Sequence, residues 1–105
     1  MVPTKKYKYS QTSYHLYVVL INFSKLKIER PYLMNTLKKY SIGTMVHYIP
    51  LHYQPAYSNI KNKDLKCSEE YFDKCLSLPL HTNMKKKDVI YVVQMLKNII
   101  NKYKN

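Results

Sequence analysis

Between Val46 and Tyr57 the chain reads VHYIPLHYQPAY, with two histidines, two prolines and three tyrosines in twelve residues and no carboxylate. Imidazoles and phenols can ligate a metal, move a proton, hydrogen-bond a phosphate or a sugar hydroxyl, or simply pack. A metal is the first test, because His15, His47, His52 and His81 are four candidate ligands. His47 and His52 lie five positions apart with Pro50 between them, so they cannot share a helical face as the pair in H-E-x-x-H does. No Asp or Glu stands between Glu29 and Lys63 to complete a coordination set or act as a base. Ordinary packed or hydrogen-bonded imidazoles are expected, and no metal.

A Cys/His nucleophile is the second test. Cys67 could meet His47 or His52, but a pairing from unlinked positions is what chance supplies in a chain with two cysteines and four histidines. Small buried packing is the expected fate of Cys67 and Cys75. Their spacing fits neither a zinc knuckle nor a redox CxxC, and reduced thiols in a cytoplasmic protein are expected. Gly43 is the only glycine, so neither a nucleophile elbow nor a glycine-rich phosphate loop can be built.

Charge raises a third possibility. Eighteen Lys and Arg against six Asp and Glu give +12, and the runs KKYKYS and NKYKN interleave cations with rings that could stack on bases. A small basic nucleic-acid-binding protein is therefore the alternative function, and a steep fall of binding with salt would mark it. Two features argue against it. Arg30 is the only arginine, whereas base and phosphate recognition lean on the guanidinium fork. Lys, Asn, Ile and Tyr all have A/T-rich codons, so base composition alone can produce such a surface.

The elements that must position these groups follow from patterning. Residues 1–12 show no periodicity and read as a linker or disordered arm. YHLYVVLINF, Tyr14 to Phe23, is rich in β-branched and aromatic residues, which favours a strand. Its apolar residues run consecutively, which predicts cover on both faces. This run is too short to span a membrane, and no small-x-small cleavage site follows it. IERPYLMNTLKKYSIG reads as a helix, with Pro31 in its first turn, Leu33, Leu37 and Tyr40 on one face, and Gly43 as the left-handed stop. TMVHYI resumes a β pattern that Pro50 ends. A loop with a short turn of helix near Ala56 to Ile60 follows, then a helix over SEEYFDKCL with Ser68 as N-cap. LSLPL reads as a short strand. Met84 to Tyr103 carries Val89, Val92, Val93, Leu96, Ile99, Ile100 and Tyr103 at helical spacing, the surest element of the chain.

This order predicts an α+β domain, a small mostly antiparallel sheet with helices on one face. The other face is expected to be apolar and uncovered, a surface for docking.

Four stretches, SYHLYVVLI, SIGTMVHYIPLHYQPAY, CSEEYFDKCLSLPLH and KKDVIYVVQMLKNII, together resemble the C-terminal segment of DegT/DnrJ/StrS-type pyridoxal-phosphate-dependent sugar aminotransferases. The likeness runs from Ser13 to Ile100 and is greatest to the branch that makes UDP-4-amino-4,6-dideoxy sugars. HYIPLH and LSLPL are its most specific parts. It implies that residues 13–105 are the small C-terminal domain of a fold-type-I aminotransferase, serving amino-sugar biosynthesis for surface glycans. In the family the cofactor and its Schiff-base lysine belong to a large domain, and none of those motifs matches a position here. The resemblance therefore implies a truncated or split enzyme, inactive alone, with no catalytic and no cofactor-binding residue of its own. It implies as partners a separately encoded large domain, or self-association through the apolar sheet face. It also places His47, Tyr48, His52 and Tyr57 near the sugar-nucleotide pocket as substrate-binding candidates. The plainer alternative, that Tyr48 and Tyr57 pack the domain and His47 supports them, stays open at this point. One departure is visible: Lys85, Lys86 and Lys87 stand where relatives often carry a capping Ser or Thr and acidic residues, which opposes the helix dipole.

Overall fold

The structure is a computed structural model that describes residues 2–3 as backbone, residues 8–57, Asn59 and residues 64–103. Three strands form one sheet in the order β1 (Val2–Pro3), β2 (Tyr17–Leu20), β3 (Cys75–Leu78), antiparallel throughout. Met45 extends it by one bridge to Ser77. Helices α1 (Phe23–Leu26), α2 (Arg30–Lys39), α3 (Lys66–Lys74) and α4 (Lys86–Asn101) complete the α+β domain, with two 3₁₀ turns at Leu51–Tyr53 and Pro55–Tyr57.

Register fixes the core. Val19 opposes Leu76 and Tyr17 opposes Leu78, so these four share one face of the sheet. Val19 and Leu76 pack there with Ile21, with Leu33 and Leu37 of α2, and with Val92, Leu96, Ile99 and Ile100 of α4. Two contacts from three phenols tie the paired helices and the residues just past their ends: Tyr32 and Tyr103 hydroxyls meet at 2.7 Å, and Tyr91 donates to the Tyr40 carbonyl at 3.1 Å.

Several expectations change. Val2–Pro3 pairs with β2, so the arm read over residues 1–12 contributes a short edge strand; residues 1 and 4–7, with Lys5 and Lys6, lie outside the described residues, as do Lys104 and Asn105. The strand read to Phe23 stops at Leu20, because the Asn22 side chain caps α1, accepting from the Lys25 N–H at 2.9 Å. Helix α2 ends at Lys39, and Ser41, not Gly43, takes the left-handed position at φ 59°. The Ile42 N–H then reaches the Leu37 carbonyl and the Ser41 N–H the Lys38 carbonyl, a Schellman stop that buries Ile42. An early stop is favoured because Ile42 has a core to enter. Tyr40 and Val89, expected on buried faces, are both about half exposed.

Of TMVHYI only Met45 pairs with the sheet. Ser68 is the third residue of α3, whose N-cap is Leu65. The turn read near Ala56 to Ile60 falls instead at Leu51–Tyr53 and Pro55–Tyr57, and Ile60 lies outside the described residues. The second sheet face is not bare either, since Cys75 and Ser77, which lie on it, are both buried. Exposed apolar side chains include Met45, Tyr48, Ile49 and Leu51 on the segment that follows Gly43, and Leu80, Val89 and Ile90 elsewhere.

α4 offsets its three lysines locally: Asp88 in its first turn accepts from the Lys85 N–H at 2.8 Å. No helix among the described residues is long and apolar enough to cross a membrane.

Candidate functional site

Residues 44–57 run across the end of β3 and along α3, and two histidines pin them there. His47 Nδ1 meets the Ser77 hydroxyl of β3 at 2.8 Å. His52 Nε2 meets the Glu69 carboxylate in the first turn of α3 at 3.0 Å. Tyr71 of α3 adds a long bond from its hydroxyl to the His47 carbonyl, 3.4 Å. The His47–Tyr48 peptide is cis. Pro50 is buried between the two anchors.

Each imidazole also meets its neighbouring ring edge-on, His47 with Tyr48 at 4.7 Å and His52 with Tyr53 at 4.5 Å between centroids. Tyr53 continues onto Phe72 at 5.9 Å. Phe72 in turn carries the Arg30 guanidinium, 4.6 Å from its ring centre. Arg30 Nη1 donates to the Phe72 and Cys75 carbonyls. The Phe72 carbonyl belongs to the last turn of α3, where it also accepts from the thiol of the C-cap residue Cys75 at 3.5 Å, so arginine and thiol together complete the end of that helix.

The four candidate residues thus divide. His47 and His52 are half-buried and each has one ring nitrogen committed, to different elements. Tyr48 is 68% exposed and stands largely in solvent, whereas Tyr57, 42% exposed, is more than half covered. Sequence reasoning missed Ser77, Glu69 and Tyr71, which orient the segment from elements far along the chain. It noted that no carboxylate lies beside the histidines in sequence, and that is true only of the sequence.

Electrostatics are modest. Burial pushes the Tyr71 phenol and the Cys75 thiol up, with the Arg30 cation pulling partly against the latter. Tyr53 is raised by desolvation and by the Glu69 and Asp73 carboxylates. Both cysteines are free thiols, Cys67 exposed and Cys75 buried. No group of three or more His, Cys, Asp or Glu among the described residues could hold a metal ion.

Below the segment lies an open cleft of about 420 Å³, lined by Thr44, His47 and Ser77 together with His15 and Leu78. Thr44 Oγ1 is closed off from solvent with no hydrogen-bond partner among the described residues. A buried hydroxyl left in that state costs about 1–3 kcal/mol.

Comparison with known proteins places this geometry. Residues 1–97 match the model of the DegT/DnrJ/EryC1/StrS aminotransferase family. A protein of Methanocaldococcus jannaschii, MJ1066, whose function is not characterised, is 41% identical over 103 residues, covering 95% of this chain and 26% of its own. The UDP-4-amino-4,6-dideoxy-N-acetyl-beta-L-altrosamine transaminase of Campylobacter jejuni is 30% identical over 97 residues, covering 91% of this chain and 26% of its own. Among solved structures, Spr1654 of Streptococcus pneumoniae, named as a sugar aminotransferase and solved in its PMP-form, superposes with a TM-score of 0.80 at 30% identity, over 97% of this chain and 26% of that one. The chain therefore spans about a quarter of the length of these relatives.

Pyridoxal-phosphate chemistry needs a lysine kept from solvent to form the imine and backbone donors to cradle the phosphate. The residues described here do not fit that group. Their lysines are exposed, apart from half-buried Lys74, which pairs with Glu70 at 3.5 Å on the surface of α3. Gly43 lines no tight cradle, since a Cβ added there would meet nothing within 4 Å. What these residues do supply is the small-domain fold and a doubly anchored strip of histidine and tyrosine, and on the match over residues 1–97 the chain belongs to the DegT/DnrJ/EryC1/StrS aminotransferase family.

Proposed function

We propose that this chain works as the C-terminal small domain of a nucleotide-sugar aminotransferase, and that residues 46–57 form one wall of the sugar-nucleotide pocket. His47, Tyr48, His52 and Tyr57 supply the hydrogen bonds of that wall to phosphate or sugar hydroxyls. The observation that carries the reading is the double anchorage: a strip held at Ser77 and at Glu69 presents Tyr48 and Tyr57 to solvent without having to order them on binding. Preorganisation of that kind lowers the entropic cost of recognition. The relative from Campylobacter jejuni is by name a transaminase of a UDP-linked amino sugar, which supports the same substrate class.

The imine-forming lysine and the phosphate cradle belong to the large domain of such an enzyme, against which this small domain packs. Exposed Met45, Ile49 and Leu51, rather than the sheet face, make the apolar joint. Free Cys67 and Cys75 accord with a cytoplasmic setting.

The test is a chimera in which these residues replace the C-terminal quarter of the Campylobacter jejuni transaminase. It should aminate its UDP-linked keto sugar, and His47→Ala and His52→Ala should each raise KM more than they lower kcat. The 105-residue polypeptide mixed with pyridoxal phosphate and an amino donor should give no turnover. Amination by the polypeptide alone, or a folded chimera indifferent to both histidines, would contradict the proposal.

A further inference from the structure

Helix α4 carries a row of side chains that its core face does not use. Lys86, Val89, Val93 and Lys97 follow one another at three- and four-residue steps, so they stand one above the other along the helix. Val92, Leu96 and Ile99 face the core instead. Val89 stays 49% exposed, and Ile90 beside it 46%. An open groove of about 330 Å³ borders this row, lined by Val89 and Val93 from α4 and by Tyr17, Leu78 and Leu80 from the sheet and its end.

Charge stands at the ends of the row and not within it. Lys86 lies one step before Val89 and Lys97 one step beyond Val93, both exposed, and no Asp or Glu lines the groove. At 1.5 Å per residue the two lysines are about 16 Å apart along the axis. Local stability does not account for the first of them. Lys85, Lys86 and Lys87 crowd a helix start where the dipole favours acids, and Asp88, the acid of that first turn, is turned back to the Lys85 N–H. A choice made against local preference points to a use elsewhere.

We propose that this groove docks an acidic amphipathic helix of a different polypeptide, laid along α4 with its apolar side chains against Val89, Val93 and Leu80 and its carboxylates paired with Lys86 and Lys97. Apolar anchors at helical spacing fill grooves of this kind, and charges at the rim select the partner. A second copy of this chain is disfavoured, because each copy carries a formal +12. A bilayer is disfavoured as well, because the apolar side chains wall a concavity whose rim alone a flat surface reaches. The inference goes beyond the sugar-nucleotide wall and uses none of residues 46–57.

Amide spectra of the isotopically labelled 105-residue protein test it. The probe is a synthetic helical peptide with Leu along one face and a Glu at each end of that face, at the spacing of Lys86 and Lys97; its control carries Lys in place of Glu. The Glu peptide should move the amides of Tyr17, Leu80, Val89 and Val93 saturably, and the Lys peptide should not. Lys86→Glu with Lys97→Glu should weaken the Glu peptide about tenfold and let the Lys peptide bind. The first of these changes suits the helix dipole, so the double variant should melt no lower than the parent. Val89→Asp, at a half-exposed position, should abolish docking and leave the fold intact. Equal affinity for the two peptides, a double variant that does not exchange its preference, or shifts spread over lysines outside α4 would overturn the proposal. So would groove amides that ignore the Glu peptide and move with anionic phospholipid vesicles, or with self-association of the protein.

Discussion

The His52 ring and the Glu69 carboxylate meet at 3.0 Å across seventeen positions of sequence, joining the 51–57 turns to the first turn of α3. An ionised carboxylate only accepts, so this contact places a proton on Nε2. Because Glu69 is more than a third exposed, the pair itself contributes little to global stability, about 0.2–1 kcal/mol at most. Glu69→Gln can still accept through its amide oxygen and should keep the orientation. Glu69→Ala should leave the melting temperature within a few degrees while amide exchange accelerates over residues 51–57. Equal exchange in both variants would show that the contact does not hold the segment.

Arg30 is not replaceable by another cation. Its plane lies on Phe72 while the same group donates to the Phe72 and Cys75 carbonyls. Lysine offers neither a stacking plane nor a fork. Arg30→Lys should therefore lose about 1–3 kcal/mol in urea unfolding, nearly as much as Arg30→Ala. A lysine variant as stable as the parent would reduce the guanidinium to a generic charge.

Ser41 sits at φ 59° at the stop of α2, where a Cβ is unfavourable. Ser41→Gly should stabilise the domain by about 0.5–1 kcal/mol, visible as a higher urea midpoint. Gly43→Ala, at a position with open space and no left-handed backbone, should change stability little.

Alkaline pH should loosen the fold. The buried Cys75 thiol and the Tyr71 phenol are raised above ordinary values of 9.0 and 10.0, each chiefly by desolvation. Between the unfolded and folded values the unfolded chain has released a proton that the native chain keeps, so stability falls as pH rises. Urea midpoints should be level with respect to these groups up to about pH 9 and decline above it. Cys75→Ala should lower the starting stability and flatten the decline. Exposed Cys67 should react with a thiol reagent well before Cys75 does.

Sequence periodicity was enough for the parts of the fold held by local patterning. The spacing of Val92, Leu96, Ile99 and Ile100 identifies α4, and Leu33 with Leu37 the inner face of α2, because a helix repeats its contacts within one segment. Boundaries set by a side chain's second option were harder to see. Asn22 reads as an interruption of a strand until its carboxamide is found capping α1. Gly43 attracts the role of helix stop, yet Ile42 had a core to enter and moved the stop to Ser41. At the site, HYIPLH locates the residues and says nothing of their partners. Ser77, Glu69 and Tyr71 reach the segment through tertiary packing alone, and short sequence spacing holds no trace of it.

The most direct measurement is a titration of the labelled protein with UDP-N-acetylglucosamine, followed at every amide. The account predicts saturable shifts gathered on His47, Tyr48, His52 and Tyr57, lost together in the His47→Ala variant while the remaining spectrum stays folded. Shifts scattered over the exposed lysines of α2 and α4, with residues 46–57 unmoved at saturation, would contradict it.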